Sequence, residues 1–279
     1  MTDRTVLITG TSSGIGLAVA VAAAAAGWRV VATMRDIGRA TALLDAADAA
    51  GVAERIDVRH LDVTDPASAH DCVSAVVAEH GSLDAVINNA GAGHVGTLEQ
   101  ESIEEVRAVL EVNFFGVLHV TKAALPHLRA ARGRVLTVSS VGGAVGQPFN
   151  EAYCAAKFAV EGFMEALAPV AATVGVAVGV IEPGAVASEF VSNVGFDRDQ
   201  IDAMGPYAPA LRSYVARTGS AFASAQTPAE AAAPIVAALT ADPLAFRVQT
   251  SDAARAFVGV KYADADGSAV QALTAGWVS

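Results

Sequence analysis

The chain predicts an α/β fold: a doubly wound parallel sheet of about seven strands with helices on both faces. Three observations carry that expectation. Short apolar runs alternate with helical stretches from residue 5 to about residue 250. The runs are apolar at consecutive positions, as strands buried on both faces are. Glycine, asparagine, serine or proline follows several of them, at the strand ends where open α/β sheets bind ligands.

Taken in order, residues 5–9 read as a buried strand. Gly10-Thr11-Ser12-Ser13-Gly14-Ile15-Gly16 follows, then an Ala-rich helix over 17–26. A second strand covers 29–33, and 36–50 reads as helical, with Ile37, Ala40, Leu43, Leu44 and Ala47 on one face. A third strand covers 56–61. Thr64 or Asp65 before Pro66 starts a helix that runs to about residue 80. The fourth strand, 83–87, ends in Asn88-Asn89-Ala90-Gly91, and one long helical region spans 102–131. The fifth strand is 135–138. A helix over 151–173 follows, which Pro169 bends late or ends. The sixth strand, 176–181, runs into Glu182-Pro183-Gly184, and a short seventh lies at 245–248. Right-handed crossovers between such strands give the doubly wound topology.

No linker or repeat divides the 279 residues, so a single domain over 1–279 is expected, with a substrate lid around 188–219. Hydrophobic residues make up 53%, enough for a large core. A net charge of −11 argues against nucleic acid as a partner. Cys72 and Cys154 have no metal-ligand spacing, and neither do the six histidines, so no disulfide framework and no metal site are expected. His94 lies near the site mouth and reads as an exposed loop residue rather than a catalytic one. The N-terminus leads straight into a strand, unlike a signal peptide. The apolar stretches 17–28 and 170–181 are too short and too rich in Gly and Ala to span a bilayer. A soluble, cytoplasmic protein without a membrane span is expected.

The chemistry concentrates between residues 140 and 157. Tyr153 and Lys157 are four apart, which places both on one face of a helix. Ser140 lies thirteen residues upstream of Tyr153, at the end of the fifth strand. A hydroxyl, a phenol and an ammonium can converge there on one carbonyl oxygen. A free tyrosine has a pKa of about 10 and is a poor base at neutral pH. An ammonium roughly 4 Å away favours the phenolate by about 4 kcal/mol at an effective dielectric of about 20. Lys157 is therefore expected to lower the pKa of Tyr153, Tyr153 to move the proton, and Ser140 to hold the oxygen.

The first turn has glycines at Gly10, Gly14 and Gly16. They let the backbone approach a pyrophosphate at a helix N-terminus, where Ser12 and Ser13 add hydroxyl donors. After the second strand, Arg35 can pair with a 2′-phosphate. Asp36, 20 residues past Gly16, stands about where a ribose-binding acid can sit. NADP is favoured over NAD.

Together these residues resemble the short-chain dehydrogenase/reductase family, whose members have the Rossmann fold. The motifs are Thr9-Gly10-x-x-x-Gly14-Ile15-Gly16, Leu61-Asp62-Val63, Asn88-Asn89-Ala90-Gly91, Asn113, Ser140, Tyr153-x-x-x-Lys157 and Pro183-Gly184-x-Val186-x-Ser188. Gln147-Pro148-Phe149-Asn150 and Tyr153-Cys154-Ala155-Ala156-Lys157-Phe158 look more narrowly like the branch holding 17β-hydroxysteroid (type 1) and retinol dehydrogenases. The resemblance implies that Asn113 holds a water linking Lys157 to solvent, and that Lys157 binds the nicotinamide ribose. It further implies that Asp62 and Val63 touch the adenine, that Asn89, Ala90 and Gly91 lie along the adenosine, and that Pro183 to Ser188 meet the nicotinamide. Ser188 stands where the family commonly has threonine, and beyond it the likeness fades.

The expected function is hydride transfer between NADP(H) and a secondary alcohol or carbonyl of a hydrophobic substrate, steroid-, retinoid- or polyketide-like. Val141, Val145, Phe149, Phe190, Val191, Val194 and Phe196 are expected to line its pocket. The alternative is a non-catalytic NADP(H)-binding sensor or scaffold, and an isomerase or dehydratase on the same scaffold is also open. By analogy with the family, a homodimer or homotetramer forms through the two long helices.

Overall fold

The computed structural model describes residues 4–188, 198–222 and 224–279. Seven strands form one parallel sheet: β1 (Thr5–Thr9), β2 (Arg29–Met34), β3 (Ile56–His60), β4 (Ala85–Asn88), β5 (Arg134–Val138), β6 (Ala177–Glu182) and β7 (Arg247–Gln249). Their order is β3-β2-β1-β4-β5-β6-β7. The chain winds outward one way from β1 and the other way from β4, so the crevice between these two strands is the topological switch point. Pairing Leu7 with Val31 on one side and Val86 on the other sets the register there.

The helices are α1 (Gly14–Ala25), α2 (Thr41–Ala49), α3 (Pro66–His80), α4 (Ile103–Leu110), α5 (Gly116–Ala131), α6 (Glu151–Ala172), α7 (Arg198–Ala203), α8 (Ala208–Phe222), α9 (Pro228–Ala238), α10 (Asp252–Ala263) and α11 (Ser268–Ala275). The period-two alternation of strand side chains sends Val6 and Ile8 to one face, against Val19, Ala23 and Ile235 of α1 and α9. Leu7, Val86 and Val135 go to the other, against Val73, Val120 and Met164 of α3, α5 and α6. Both faces of the central strands are thus buried, which is why β1, β2, β4, β5 and β6 read as continuous apolar runs, while β3 and β7 are only partly buried.

Local chemistry sets the helix ends. Asp65 accepts from the Ala67 N–H at 2.9 Å and Pro66 opens α3, while Gly81 closes it in the left-handed conformation. Ser102 and Glu105 form a reciprocal capping box on α4. Pro169 stays inside the last turn of α6, which continues to Ala172.

One expectation is corrected and one is refined. The region 36–50 is not one helix: Asp36 caps a short 3₁₀ turn (Ile37–Arg39), and α2 starts afterwards at Thr41. The region 102–131 is helical throughout but changes pitch, with a π-helical turn (Glu111–Phe115) between α4 and α5. The run Ile103–Ala131 is long and apolar enough to cross a membrane by length and composition. Its Val117, Val120, Ala124 and Leu128 are nevertheless buried against the sheet.

Candidate active site

The strand ends open into one cleft of about 1790 Å³. Gly10, Ser12, Ser13, Gly14, Ile15 and Gly16 line it from the first turn. Gly10 (φ +70°) and Gly14 (φ +58°) take left-handed conformations that favour glycine. A Cβ on Gly10 would come 2.8 Å from the Ala90 Cα, so the first and fourth strand ends touch only because the side chain is missing. Ser13 is the N-cap of α1, yet its side chain makes no capping bond, and the first turn of α1 holds no acid. The positive end of this helix and its free N–H groups therefore face the cleft unneutralised. Thr11 turns away from the cleft: its N–H and hydroxyl both donate to the Thr33 carbonyl, at 3.1 and 3.2 Å.

Asn89 and Thr9 lock the loop in place. The Asn89 side-chain amide donates to the Thr9 and Gly10 carbonyls, both at 2.9 Å. The Thr9 hydroxyl accepts from the N–H groups of Asn89 and Ala90. Asn89, Ala90 and Gly91 line the cleft, with Asp62 and Val63 from the end of β3. Burial tends to raise the Asp62 carboxyl, but the Thr64 N–H and hydroxyl and the nearby Arg35 outweigh it and hold the group below the usual range. Arg35 lines the same end. Asp36 does too, but its Oδ1 accepts from the Gly38 N–H at 2.9 Å. Arg39, which sequence reasoning missed, joins Arg35 on the cleft wall. The 3₁₀ turn brings it there, and the helical pattern assigned to that region hides the turn. These donors, the glycine cradle and the open helix end fit a dinucleotide with its pyrophosphate over α1.

Ser140, Tyr153 and Lys157 meet deeper in the cleft. Ser140 caps the 3₁₀ turn Val141–Gly143, its hydroxyl accepting from the Gly142 N–H at 3.0 Å, and it hydrogen-bonds the Tyr153 hydroxyl. Lys157 is 4% exposed, donates to the Val138 carbonyl at 3.0 Å, and lies 5.7 Å from the Tyr153 ring centroid. The expected electrostatics are corrected here. Burial pushes Tyr153 up to about 12, against the lowering effect of Ser140. Burial also brings Lys157 down to about 8, against the pull of Glu161. Desolvation dominates both shifts: Lys157 is buried, and Tyr153 is partly buried in the wall of the cleft.

Asn113 is fully buried in the π turn and does not line the cleft. Its amide donates to the Ala92 and Val109 carbonyls (2.9 and 3.0 Å), and its Oδ1 accepts from the Ala92 N–H at 3.2 Å. Asn113 thereby fixes the loop after β4 directly above Lys157. Pro183, Gly184, Val186 and Ser188 line the cleft. Gln226 holds them: its N–H donates to the Ala185 carbonyl and its carbonyl accepts from Ala187.

Of the expected pocket residues, Val141 lines the cleft and Val145 and Phe149 do not. Val145 is buried with Ala144, Val258 and Val270, and Phe149 packs on Tyr214 with ring centroids 5.7 Å apart. Phe190, Val191, Val194 and Phe196 lie outside the described residues, as does part of the expected lid. His94 is a loop residue at the cleft, as expected, but partly buried rather than exposed, and Glu101 holds it at 2.5 Å. Among the described residues, one group of metal-type ligands occurs, Asp57, Glu79 and His80. None of the three lines the cleft, and Arg59 already bonds both carboxylates.

The short chain dehydrogenase family model matches residues 4–199. Retinol dehydrogenase 8 of Bos taurus is 36% identical over 280 aligned residues, covering 95% of this chain and 87% of that protein. Human 17-beta-hydroxysteroid dehydrogenase type 1 is 36% identical over 96% of this chain and 84% of its own. A short-chain dehydrogenase from Streptomyces avermitilis superposes with a TM-score of 0.78 at 29% identity, over 99% of this chain and 98% of that one. With the seven-stranded parallel sheet and the glycine cradle at its switch point, these likenesses make the chain a member of the short-chain dehydrogenases, oxidoreductases that act on CH–OH groups.

Proposed function

We propose that the chain transfers hydride between NADP(H) and a secondary alcohol or ketone on a hydrophobic substrate. The observation that carries this reading is the convergence of Ser140, Tyr153 and Lys157 in the same cleft as the open N-terminus of α1. When bound, the nicotinamide supplies or accepts the hydride. Tyr153, protonated well above neutral pH, gives its proton to the carbonyl oxygen as reduction proceeds, and takes it back in oxidation. Ser140 donates to the same oxygen and steadies the developing charge. Lys157, one helical turn below, keeps positive charge beside the phenol at neutral pH and favours the phenolate once the proton has left. Asn113 acts through the backbone, holding the Gly91–Ala92 wall above Lys157.

The preference for NADP rests on Arg35 and Arg39 at the adenosine end, a pair suited to a 2′-phosphate. The competing acid, Asp36, has one oxygen committed to the Gly38 N–H. Self-association through the outer faces of α4 to α6 belongs to the same reading.

The test is NADPH oxidation with a steroid ketone, retinal, a 3-oxoacyl thioester and a small aromatic ketone, with NADH and Tyr153→Phe as controls. Turnover of one class, weaker with NADH and reduced by about 10²–10⁴-fold in Tyr153→Phe, is expected. Tight NADPH binding with no turnover, unchanged in Tyr153→Phe, would replace catalysis with a sensing role.

A further inference from the structure

The cleft has two halves of different chemistry. The loops after β1 to β4 build the first, with Arg35, Arg39, Asp36 and Asp62 on its wall. The β5–α6 loop, α8 and the two C-terminal helices build the second. This second half is lined by apolar side chains such as Val141, Val215, Phe257, Leu273 and Trp277, and its described lining contains no carboxylate. One exposed formal cation stands in it, Arg217. Among the described residues no carboxylate forms an ion pair with it, in a chain with 29 acids against 18 bases.

Arg217 is placed, not loose. Its guanidinium carbon lies 5.0 Å from the Trp277 ring centroid, and Trp277 in turn stacks on Phe257 at 5.9 Å with 23° between the planes. A cation held over an aromatic face keeps its edge donors available. The Trp277 Nε1 is buried and has no hydrogen-bond partner among the described residues. A buried donor without an acceptor costs free energy, which a ligand oxygen at this spot would recover.

We propose that this half of the cleft receives the far end of a hydrophobic ketone or alcohol that carries a carboxylate, with Arg217 as the counter-charge. Phe257 and Trp277 form the flat apolar bed for the body of the substrate. A single guanidinium balances the single charge of a carboxylate and matches its planar two-oxygen edge. The apolar lining and the distance from competing acids raise the worth of the pair over that of a surface ion pair. The carboxylate takes no part in the hydride transfer; it selects and orients the substrate.

The inference rests on the oxidoreductase reading of the cleft, and the experiment separates the two. The probes are ω-aroyl alkanoic acids of increasing chain length, each paired with its methyl ester, assayed with NADPH. The wild-type enzyme is expected to favour one acid over its ester by about tenfold or more in kcat/KM. In Arg217→Ala that ratio falls toward one, and in Arg217→Glu it shifts instead toward the matching ω-amino ketone. Tyr153-dependent turnover with no preference for acid over ester leaves the enzyme reading standing and overturns this one. So does an acid preference that Arg217→Ala leaves intact. If nothing turns over, quenching of Trp277 fluorescence in the NADPH-loaded protein still decides the matter, with Trp277→Phe as blank. Quenching by the acids and not the esters, abolished in Arg217→Ala, supports the carboxylate site, and equal response to both overturns it.

Discussion

At the scale of single residues, burial moves Tyr153 and Lys157 toward their uncharged forms, by opposite changes in pKa. For Tyr153 this is useful in the reducing direction, since a proton donor must hold its proton at the working pH. For Lys157 it sets a limit. Lowered to about 8, the ammonium is charged at pH 7 and loses its charge as pH rises through that value. Carbonyl reduction is therefore expected to fall on the alkaline side with an apparent pKa near 8, measured as kcat/KM against pH at saturating NADPH. Lys157→Met should lose the rate at all pH values, and a wild-type profile flat to pH 10 would sink the assignment. The cofactor end offers a second test. On the proposed NADP reading, replacing both Arg35 and Arg39 by Ala would remove two charge-assisted contacts to a 2′-phosphate, each worth about 1.5–3 kcal/mol. The KM for NADPH should rise by roughly two orders of magnitude or more while that for NADH changes little, which initial-rate kinetics with both cofactors would read.

At the scale of elements, the junction between α4 and α5 and the interior of α6 carry the site. Asn113 makes three hydrogen bonds from within the π turn, two of them to Ala92. Its position depends on the inserted residue that the wider turn accommodates. Asn113→Ala removes all three, one of them to the buried Val109 carbonyl and two to the exposed Ala92, so a cost of about 1–3 kcal/mol is expected. A fall of several degrees in Tm and a weaker hold on NADPH are expected, by thermal melts and by titration. Glu161 is one turn beyond Lys157 in α6, nearly buried, 3.3 Å from Arg247 of β7 and close to Glu182 of β6. Glu165 of α6 also pairs with Arg247, and Tyr262 of α10 bonds Glu182. Burial pushes Glu161 up to about 7, with Glu182 adding to the effect and Arg247 opposing it. A carboxyl with a raised folded pKa stabilises fully below its unfolded pKa of about 4.5, and that contribution is lost as pH rises through about 7. Glu161→Gln should therefore gain in Tm relative to wild type as pH is raised from 4.5 to 8. Melts at intervals across that window would show it, and a difference independent of pH would refute the shift.

These elements also show what the sequence could and could not disclose. Five strands, β1, β2, β4, β5 and β6, are legible because two-sided burial writes continuous apolar runs, whereas the half-buried edge-side β3 and β7 show only as short runs in the alternating pattern; the glycine turn, Ser140 and Tyr153-x-x-x-Lys157 are legible from their spacings. The π turn was not, since Glu-Val-Asn-Phe-Phe is ordinary helix composition and the change of pitch follows from Gly116 pressing on Val63 and Asn113 reaching Ala92. The spacing of Tyr153 and Lys157 discloses their proximity but not the desolvation that raises Tyr153. Apolar character alone does not distinguish a lining residue from Val145 and Phe149, which are buried behind the lining.

At the scale of the whole molecule, the outer faces of α4 to α6 stand out. Phe115 (42% exposed), Phe158 (39%) and Phe163 (43%) are large apolar side chains left in solvent, and Phe114 holds Phe115 and Phe163 in edge-on contacts. Ile103 adds to the exposed apolar surface at the start of α4. A net charge of −11 keeps copies apart by default, so an apolar surface of this kind on an acidic protein favours a specific self-association over general stickiness. Each aromatic ring so covered contributes roughly 1.5–3 kcal/mol, enough that removing two of them should break a dimer at micromolar concentration. Light scattering after gel filtration is expected to give a dimer or tetramer for the wild type and a monomer for Phe158→Glu combined with Phe163→Glu. A wild-type monomer under the same conditions would end the argument. The consequence for catalysis follows from what those helices carry. Tyr153 and Lys157 lie on α6, and Asn113 lies at the head of α5, so the surfaces that would meet another copy are the backs of the elements that form the site. The dissociated variant should therefore lose Tm and kcat together, with little change in KM for the cofactor, whose glycine cradle stands on β1 and α1, away from α4 to α6.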